Sequence, residues 1–266
     1  MYLLPLVVLG IERIINKQKA TFYIVTLAVS FFANYYMSYM ICIFSVLYFL
    51  AYFFSHYSIK EVLPTKPIYE DENGEIYDRK IDNVLYSRFV ESGLLFALGS
   101  FVAVGLAAVA LVPTYFCLKA CSATSGTFPS DYQFYNNIFD FLANHLSSLE
   151  PTIRSSGETV LPNVYCGVIT VMLVPLYIFC DKIKARERAA NIILLAVFFI
   201  GFNLNYANYV IHAFHFPNDL PFRFSFIYSF LLLTIAYKAL VNIRSFSTKA
   251  LALQRLFLPS LSRSSE

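Results

Sequence analysis

The groups able to do chemistry concentrate in one short stretch, residues 212–224, which carries His212, His215, Asn218, Asp219 and Arg223. Pro217 and Pro221 bracket the Asn218–Asp219 pair, so apolar helices on either side must stop and restart there. Imidazoles can take up or pass a proton near neutral pH. A guanidinium offers phosphate oxygens a planar, two-point fork. The neighbouring carboxylate can act as a base, a cation ligand or a partner for the arginine. In a strongly apolar chain, such a cluster at a membrane face is a candidate ligand site. The plain alternative is a polar turn in which Arg223 and Asp219 satisfy backbone groups and each other. Upstream, His145, Glu150, Arg154, Asp131 and Asp140 are further candidates of the same chemical types.

The surroundings that must position these groups are set by composition. Hydrophobic residues make up 58% of the 266, aromatic residues 18% and charged residues 14%, with a mean hydropathy of +0.60. A soluble domain carries roughly a quarter charged residues, so the chain is an integral membrane protein. The formal charge of +3 does not point to nucleic acid, because the basic residues fall in loops and form no helix face. None of the five cysteines has metal-binding spacing. Cys42 and Cys180 sit in apolar runs and read as small hydrophobes. Cys117, Cys121 and Cys166 leave open both free thiols and a disulfide.

In chain order, residues 2–15 form an apolar run too short for a full span of about 20 residues. Residues 20–55 contain no charge. As one helix they would extend about 54 Å, well beyond a hydrocarbon core of about 30 Å. With Asn34, Tyr35, Tyr36 and Ser38 near their middle, they are expected to form a hairpin of two spans with tyrosines at the interface. Residues 56–92 form a loop of mixed charge, whose acidic run 70–75 lacks the ligand order of a calcium loop. Residues 93–116 are a clear span, with Gly99 and Gly105 offering a close-packing face. In the loop that follows, Ser130 is a candidate N-cap. Tyr135, Ile138, Phe139, Leu142 and Leu146 recur with helical spacing, so Ser130 to Leu146 predicts an amphipathic helix lying on the outer surface. Further spans are expected at 164–180, 191–211 and 224–237.

The expected fold is therefore all-α, a polytopic transmembrane helical bundle of about seven spans with one interfacial outer helix. Residues 1–245 form its membrane domain and 246–266 a basic cytoplasmic tail. With seven spans, the loops 12–19, 56–92 and 181–188 share one side with the chain from Lys238 onward, and these four segments together hold 17 of the 20 Lys and Arg residues. Lys119, Arg154 and Arg223 alone face the other way. The positive-inside rule makes the first side cytoplasmic and puts the candidate turn outside, with the N-terminus outside and the C-terminus inside.

Several runs resemble a known family. These are 142–145 (Leu-Ala-Asn-His), 150–154 (Glu-Pro-Thr-Ile-Arg), 161–167 (Leu-Pro-Asn-Val-Tyr-Cys-Gly) and 215–225 (His-Phe-Pro-Asn-Asp-Leu-Pro-Phe-Arg-Phe-Ser), with weaker runs around Glu12, Tyr35 and Val112. Over roughly residues 1–240 the chain is similar to the YfhO family of bacterial membrane proteins. The resemblance implies a multi-pass enzyme of the GT-C type. Such an enzyme transfers a sugar carried on polyprenyl phosphate to cell-envelope polymers such as lipoteichoic acid. It also implies that the catalytic carboxylate lies in an outer loop before Met1, this chain being the downstream part of a longer enzyme.

Transfer from a polyprenyl phosphate needs a base for the acceptor hydroxyl and a cation, or a divalent metal ion, for the phosphate leaving group. The expected substrate-binding residues are Arg223, Asp219, Asn218, His215, His212, Arg154, Glu150 and His145. The expected partners are the lipid bilayer, the polyprenyl-phosphate-linked sugar and the polymer acceptor, with no nucleic acid. Two other classes stand beside this one: a transporter or flippase of the lipid-linked sugar, and a truncated, non-catalytic membrane scaffold.

Overall fold

A computed structural model describes residues 2–57, 68–70, 76–78, 84–120, 128–135, 137–146, 152, 161–215 and 221–243. The acidic run 71–75, Cys121, Glu150, Arg154, Asn218, Asp219 and the tail from 244 lie outside the described residues. So does the hydroxyl-rich run 122–127.

The chain begins with three helices that reverse direction at each turn: α1 (Leu4–Ile15), α2 (Thr21–Ala33) and α3 (Tyr35–His56). Gly10 of α1 lies so close to α2 that a Cβ there would come within 2.8 Å of Tyr23 Cα. The charge-free stretch breaks at Asn34, whose backbone is extended and whose side chain accepts from the Met37 amide at 3.0 Å. That is an N-cap, and it separates α2 from α3 without a loop. The Ser38 hydroxyl donates to Ser30 Oγ across the corner at 3.0 Å. Parallel α1 and α3 are tied by Tyr48, whose hydroxyl donates to Glu12 Oε1 at 2.6 Å.

A two-stranded antiparallel ribbon, β1 (Ile68–Glu70) and β2 (Ile76–Asp78), precedes α4 (Val84–Ala120). It is a small insertion in an otherwise helical architecture. α4 is longer than the span expected at 93–116: it begins at Val84, within the segment read as loop, and continues past Pro113 to Ala120. It packs on α2 through Tyr23, which shares a hydrogen bond with Ser100 at 2.7 Å, and on α3 through Phe49–Phe96. Gly99 meets the Tyr23 ring, as a close-packing glycine should, whereas Gly105 faces open space and the buried small residues are Ala103 and Ala107.

The remaining helices are α5 (Ile138–Ala143), α6 (Val168–Ile178), α7 (Ala185–Asn203), α8 (Asn205–Ile211) and α9 (Ser225–Val241). α7 runs antiparallel to α3, and α9 antiparallel to α7, as the pairs Phe44–Phe198, Glu187–Lys238 and Phe202–Tyr228 require. By length and composition, Tyr35–His56 and Arg88–Ala120 suffice to cross a membrane, while Thr21–Ala33, Val168–Ile178 and Ser225–Val241 are apolar but shorter.

Two expectations are corrected. The run 191–211 is not one helix, because Leu204 is extended and divides α7 from α8. Nor does Ser130 cap a helix reaching Leu146. Residues 131–135 are instead non-helical, and Phe134 forms an antiparallel bridge with Leu204 at that break. Tyr135 N donates to Asn203 O at 2.8 Å, and Asn205 N donates to Gln133 O at 3.1 Å. The Asn205 side chain completes the joint, accepting from Gln133 N and donating to Asp131 O. The backbone groups that a break frees in an apolar helix need such partners. The helix signal survives only as α5, capped by Asn137, whose Oδ1 accepts from the Phe139 amide. Ile138, Phe139 and Leu142 are exposed on it, while Phe141 is buried.

Candidate functional site

The turn after α8 is held in an uncommon backbone conformation. Ala213, Phe214 and Phe222 all have φ near +60° (58°, 61° and 58°). For non-glycine residues, and for a buried phenylalanine above all, this is strained backbone kept in place by its surroundings. The strain lets the chain fold back so that His212, His215 and Arg223 converge on Tyr36, in the first turn of α3. The Arg223 guanidinium lies over the Tyr36 ring with Cζ 5.2 Å from its centroid. The imidazoles of His215 and His212 stand 5.4 Å and 6.4 Å from the same ring. Phe224 closes the floor edge-on to His212 at 5.3 Å.

His212 is wholly buried. Its Nδ1 lies 2.9 Å from the Asn208 carbonyl oxygen. A carbonyl can only accept, so Nδ1 carries the hydrogen and Nε2 presents a lone pair in the neutral ring. Burial pushes the His212 pKa down to about 4, with the positive charges of His215 and Arg223 adding to it against the opposing Asn208 bond. The ring is therefore neutral at physiological pH, and its Nε2 is an acceptor. Two buried polar atoms of the recess, Tyr36 Oη and His212 Nε2, have no hydrogen-bond partner among the described residues. Such groups are costly unless something fills them. One is a hydroxyl able to donate; the other can only accept.

His145 lies elsewhere. Its Nδ1 donates to Phe141 O at 2.9 Å and its Nε2 accepts from the Tyr228 hydroxyl at 3.1 Å, and burial lowers its pKa. Both nitrogens are thus engaged, Nδ1 within the end of α5 and Nε2 across to α9. It is connected to the recess by an aromatic wall: Tyr228 to Phe202, Phe202 stacked on Phe224 at 4.6 Å, and Phe224 to His212. Asn218, Asp219, Glu150 and Arg154 lie outside the described residues, and Asp131 and Asp140 are exposed away from the Tyr36 ring. Among the described residues no group of three His, Cys, Asp or Glu side chains could hold a metal ion.

Sequence reasoning missed Tyr36 as part of the site, having read it as an interfacial tyrosine. It also missed the joint at Asn203, Asn205 and Asn208, all buried. Three asparagines within six positions of an apolar run were the available signal.

The helical architecture, the exposed apolar faces and a polar recess at one end define a membrane protein. The chain belongs to the family described as bacterial membrane protein YfhO, whose family model matches residues 1–261. The match extends past the runs at 1–240 that carry the resemblance and takes in the loop 67–83 and most of the tail. No curated protein and no solved structure matches the chain.

Proposed function

We propose that the recess of Tyr36, His212, His215 and Arg223 binds the phosphate and first sugar of a polyprenyl-phosphate-linked donor. In this reading the chain is part of a glycosyltransferase that modifies a cell-envelope polymer such as lipoteichoic acid. The protein crosses the membrane about seven times, and the recess faces outward. The segregation of charge supports that orientation. Arg13, Lys17, Lys19, Arg186, Arg188 and Lys238 all sit at the opposite end of the bundle from His212.

One observation carries the reading: a fixed guanidinium beside a buried hydroxyl and a buried imidazole nitrogen that have no hydrogen-bond partner among the described residues. Arg223 and the Tyr36 hydroxyl supply donors suited to phosphate oxygens. His212 Nε2 cannot serve a phosphate while neutral, but it suits a hydroxyl, either of the sugar or of the incoming acceptor. The strained turn holds these groups in position before the ligand arrives. Asp219, adjacent in sequence, is proposed to hold Arg223 when the recess is empty.

The test is binding of undecaprenyl phosphate to the purified protein in detergent. Arg223→Lys keeps the charge and loses the planar fork, so binding should weaken by about 1.5–3 kcal/mol, the worth of a hydrogen bond to a charged group. Arg223→Ala should weaken it at least as much. If both variants are folded and bind as tightly as the native protein, the recess is a structural turn.

A further inference from the structure

At the opposite end of the bundle, α3 and α7 leave a groove between them that the recess does not use. It has a volume of about 590 Å³ and is walled by Leu47, Leu50, Phe54, Ile193, Leu194 and Val197. Three alanines complete its lining, Ala51 on α3 and Ala189 and Ala190 on α7. One polar side chain lines it, Arg186, in the first turn of α7.

Its dimensions restrict what can lie there. From Arg186 to Val197 α7 rises about 16 Å at 1.5 Å per residue, which is close to half of a hydrocarbon core of about 30 Å. A groove of that length, opening at headgroup level beside Arg186, would reach about mid-membrane. Its walls suit an alkyl chain, and its one charge sits where that chain's headgroup would be. Lys182, Lys184 and Arg188 share the same short segment against Asp181 and Glu187, and Glu187 is already ion-paired with Lys238. The local balance is positive, as in basic inter-helical sites that take acidic lipid headgroups.

We infer that the α3–α7 groove is a binding site for an anionic glycerophospholipid, with one acyl chain seated over Ala51, Ala189 and Ala190 and its phosphate against Arg186. The occupant belongs to the leaflet on the basic side of the protein, opposite the one the recess opens toward. The site is independent of what the recess binds.

The experiment is lipid retention by the full-length protein extracted from nanodiscs of equal phosphatidylglycerol and phosphatidylcholine, read by native mass spectrometry. The native protein should keep phosphatidylglycerol over phosphatidylcholine by about tenfold, the low end for one charge-assisted hydrogen bond. Arg186→Gln should lower that preference to near unity while total retained lipid stays the same. Ile193→Trp, placed on the exposed wall and compatible with lipid contact, should obstruct the groove and lower retention of both lipids. Glycerol 1-phosphate in excess should not displace the lipid, because it lacks the chain. Unchanged phosphatidylglycerol preference in a folded Arg186→Gln variant would overturn the proposal, as would unchanged retention in Ile193→Trp. Displacement by glycerol 1-phosphate would reduce the site to an anion contact and would also overturn it.

Discussion

The two ends of the bundle hold similar polar groups and treat them differently. At the basic end, Glu12 accepts from the Tyr48 hydroxyl, Glu187 is ion-paired with Lys238, and the Asn191 amide donates to the Tyr177 hydroxyl. Each polar atom named there has a partner of opposite character on another helix. Among the described residues that end has one positive-φ residue, the exposed Lys17 of the α1–α2 corner, and one further buried atom, Arg88 Nε, without a hydrogen-bond partner. It does not bring the two features together in one cluster. At the other end, Tyr36 Oη and His212 Nε2 are just as deeply placed and have no such partner among the described residues. The backbone beside them is strained at Ala213, Phe214 and Phe222. A polar cluster that only ties helices together gains by closing its hydrogen bonds, since a buried orphan costs about 1–3 kcal/mol. A cluster that keeps open groups and holds them with strained backbone has the features of a ligand site. Satisfaction, more than residue type, separates a structural cluster from a functional one.

The largest expected effect comes from removing what both parts of the recess end share. Phe202 is fully buried, stacks on Phe224 and meets Tyr228 and Phe141. Phe202→Ala should cost about 3–5 kcal/mol through the cavity it leaves. It should loosen both His145 and His212, seen as increased amide exchange after α5 and after α8 together. Loss at only one of the two would mean that the aromatic wall does not join them.

Titration of His212 gives the next effect. Its pKa falls from an ordinary value near 6.5 to about 4 on folding, so between those values the unfolded chain binds the proton and the folded chain does not. Stability should therefore be complete above about pH 6.5 and decline as pH drops toward 4, by up to about 3 kcal/mol. His212→Gln should flatten that part of the profile in thermal unfolding across the range. An unaltered slope would assign the acid sensitivity to other groups.

Much of this architecture is legible in the sequence, and the exceptions share a cause. Asn34, one polar residue in a charge-free run, marks the corner between α2 and α3 because its own side chain caps the following helix. The family is legible because its motifs lie in the turns, where residue type is tied to local geometry. The break at Leu204 is signalled only by Asn203, Asn205 and Asn208 in an apolar run, and its stabilising partners come from residues 131–135, some seventy positions away. For the same reason the predicted helix from Ser130 is lost: local periodicity favours it, but pairing with the broken helix favours non-helical chain. The site is half legible. His212, His215 and Arg223 stand out by type, whereas Tyr36 joins them only through tertiary packing from the start of α3.

The smallest effect separates the two ends most cleanly, because it removes the same atom from each. Tyr48→Phe at the basic end takes away the donor to Glu12 and leaves a part-buried carboxylate without its hydrogen bond, so it should destabilise the protein by about 1.5–3 kcal/mol, the range for hydrogen bonds to charged groups. Tyr36→Phe takes away a buried hydroxyl that has no hydrogen-bond partner among the described residues, and losing such a group is neutral or slightly stabilising. The ring remains under Arg223, so the cation–π contact survives, at about 0.5–2 kcal/mol. Thermal unfolding of the two variants beside the native protein should therefore lower the Tm for Tyr48→Phe and leave it level or raised for Tyr36→Phe. Undecaprenyl phosphate binding should show the reverse order, weakened in Tyr36→Phe and unchanged in Tyr48→Phe. Equal destabilisation by the two would mean that the Tyr36 hydroxyl is structurally engaged, and the contrast between the ends would fail with it.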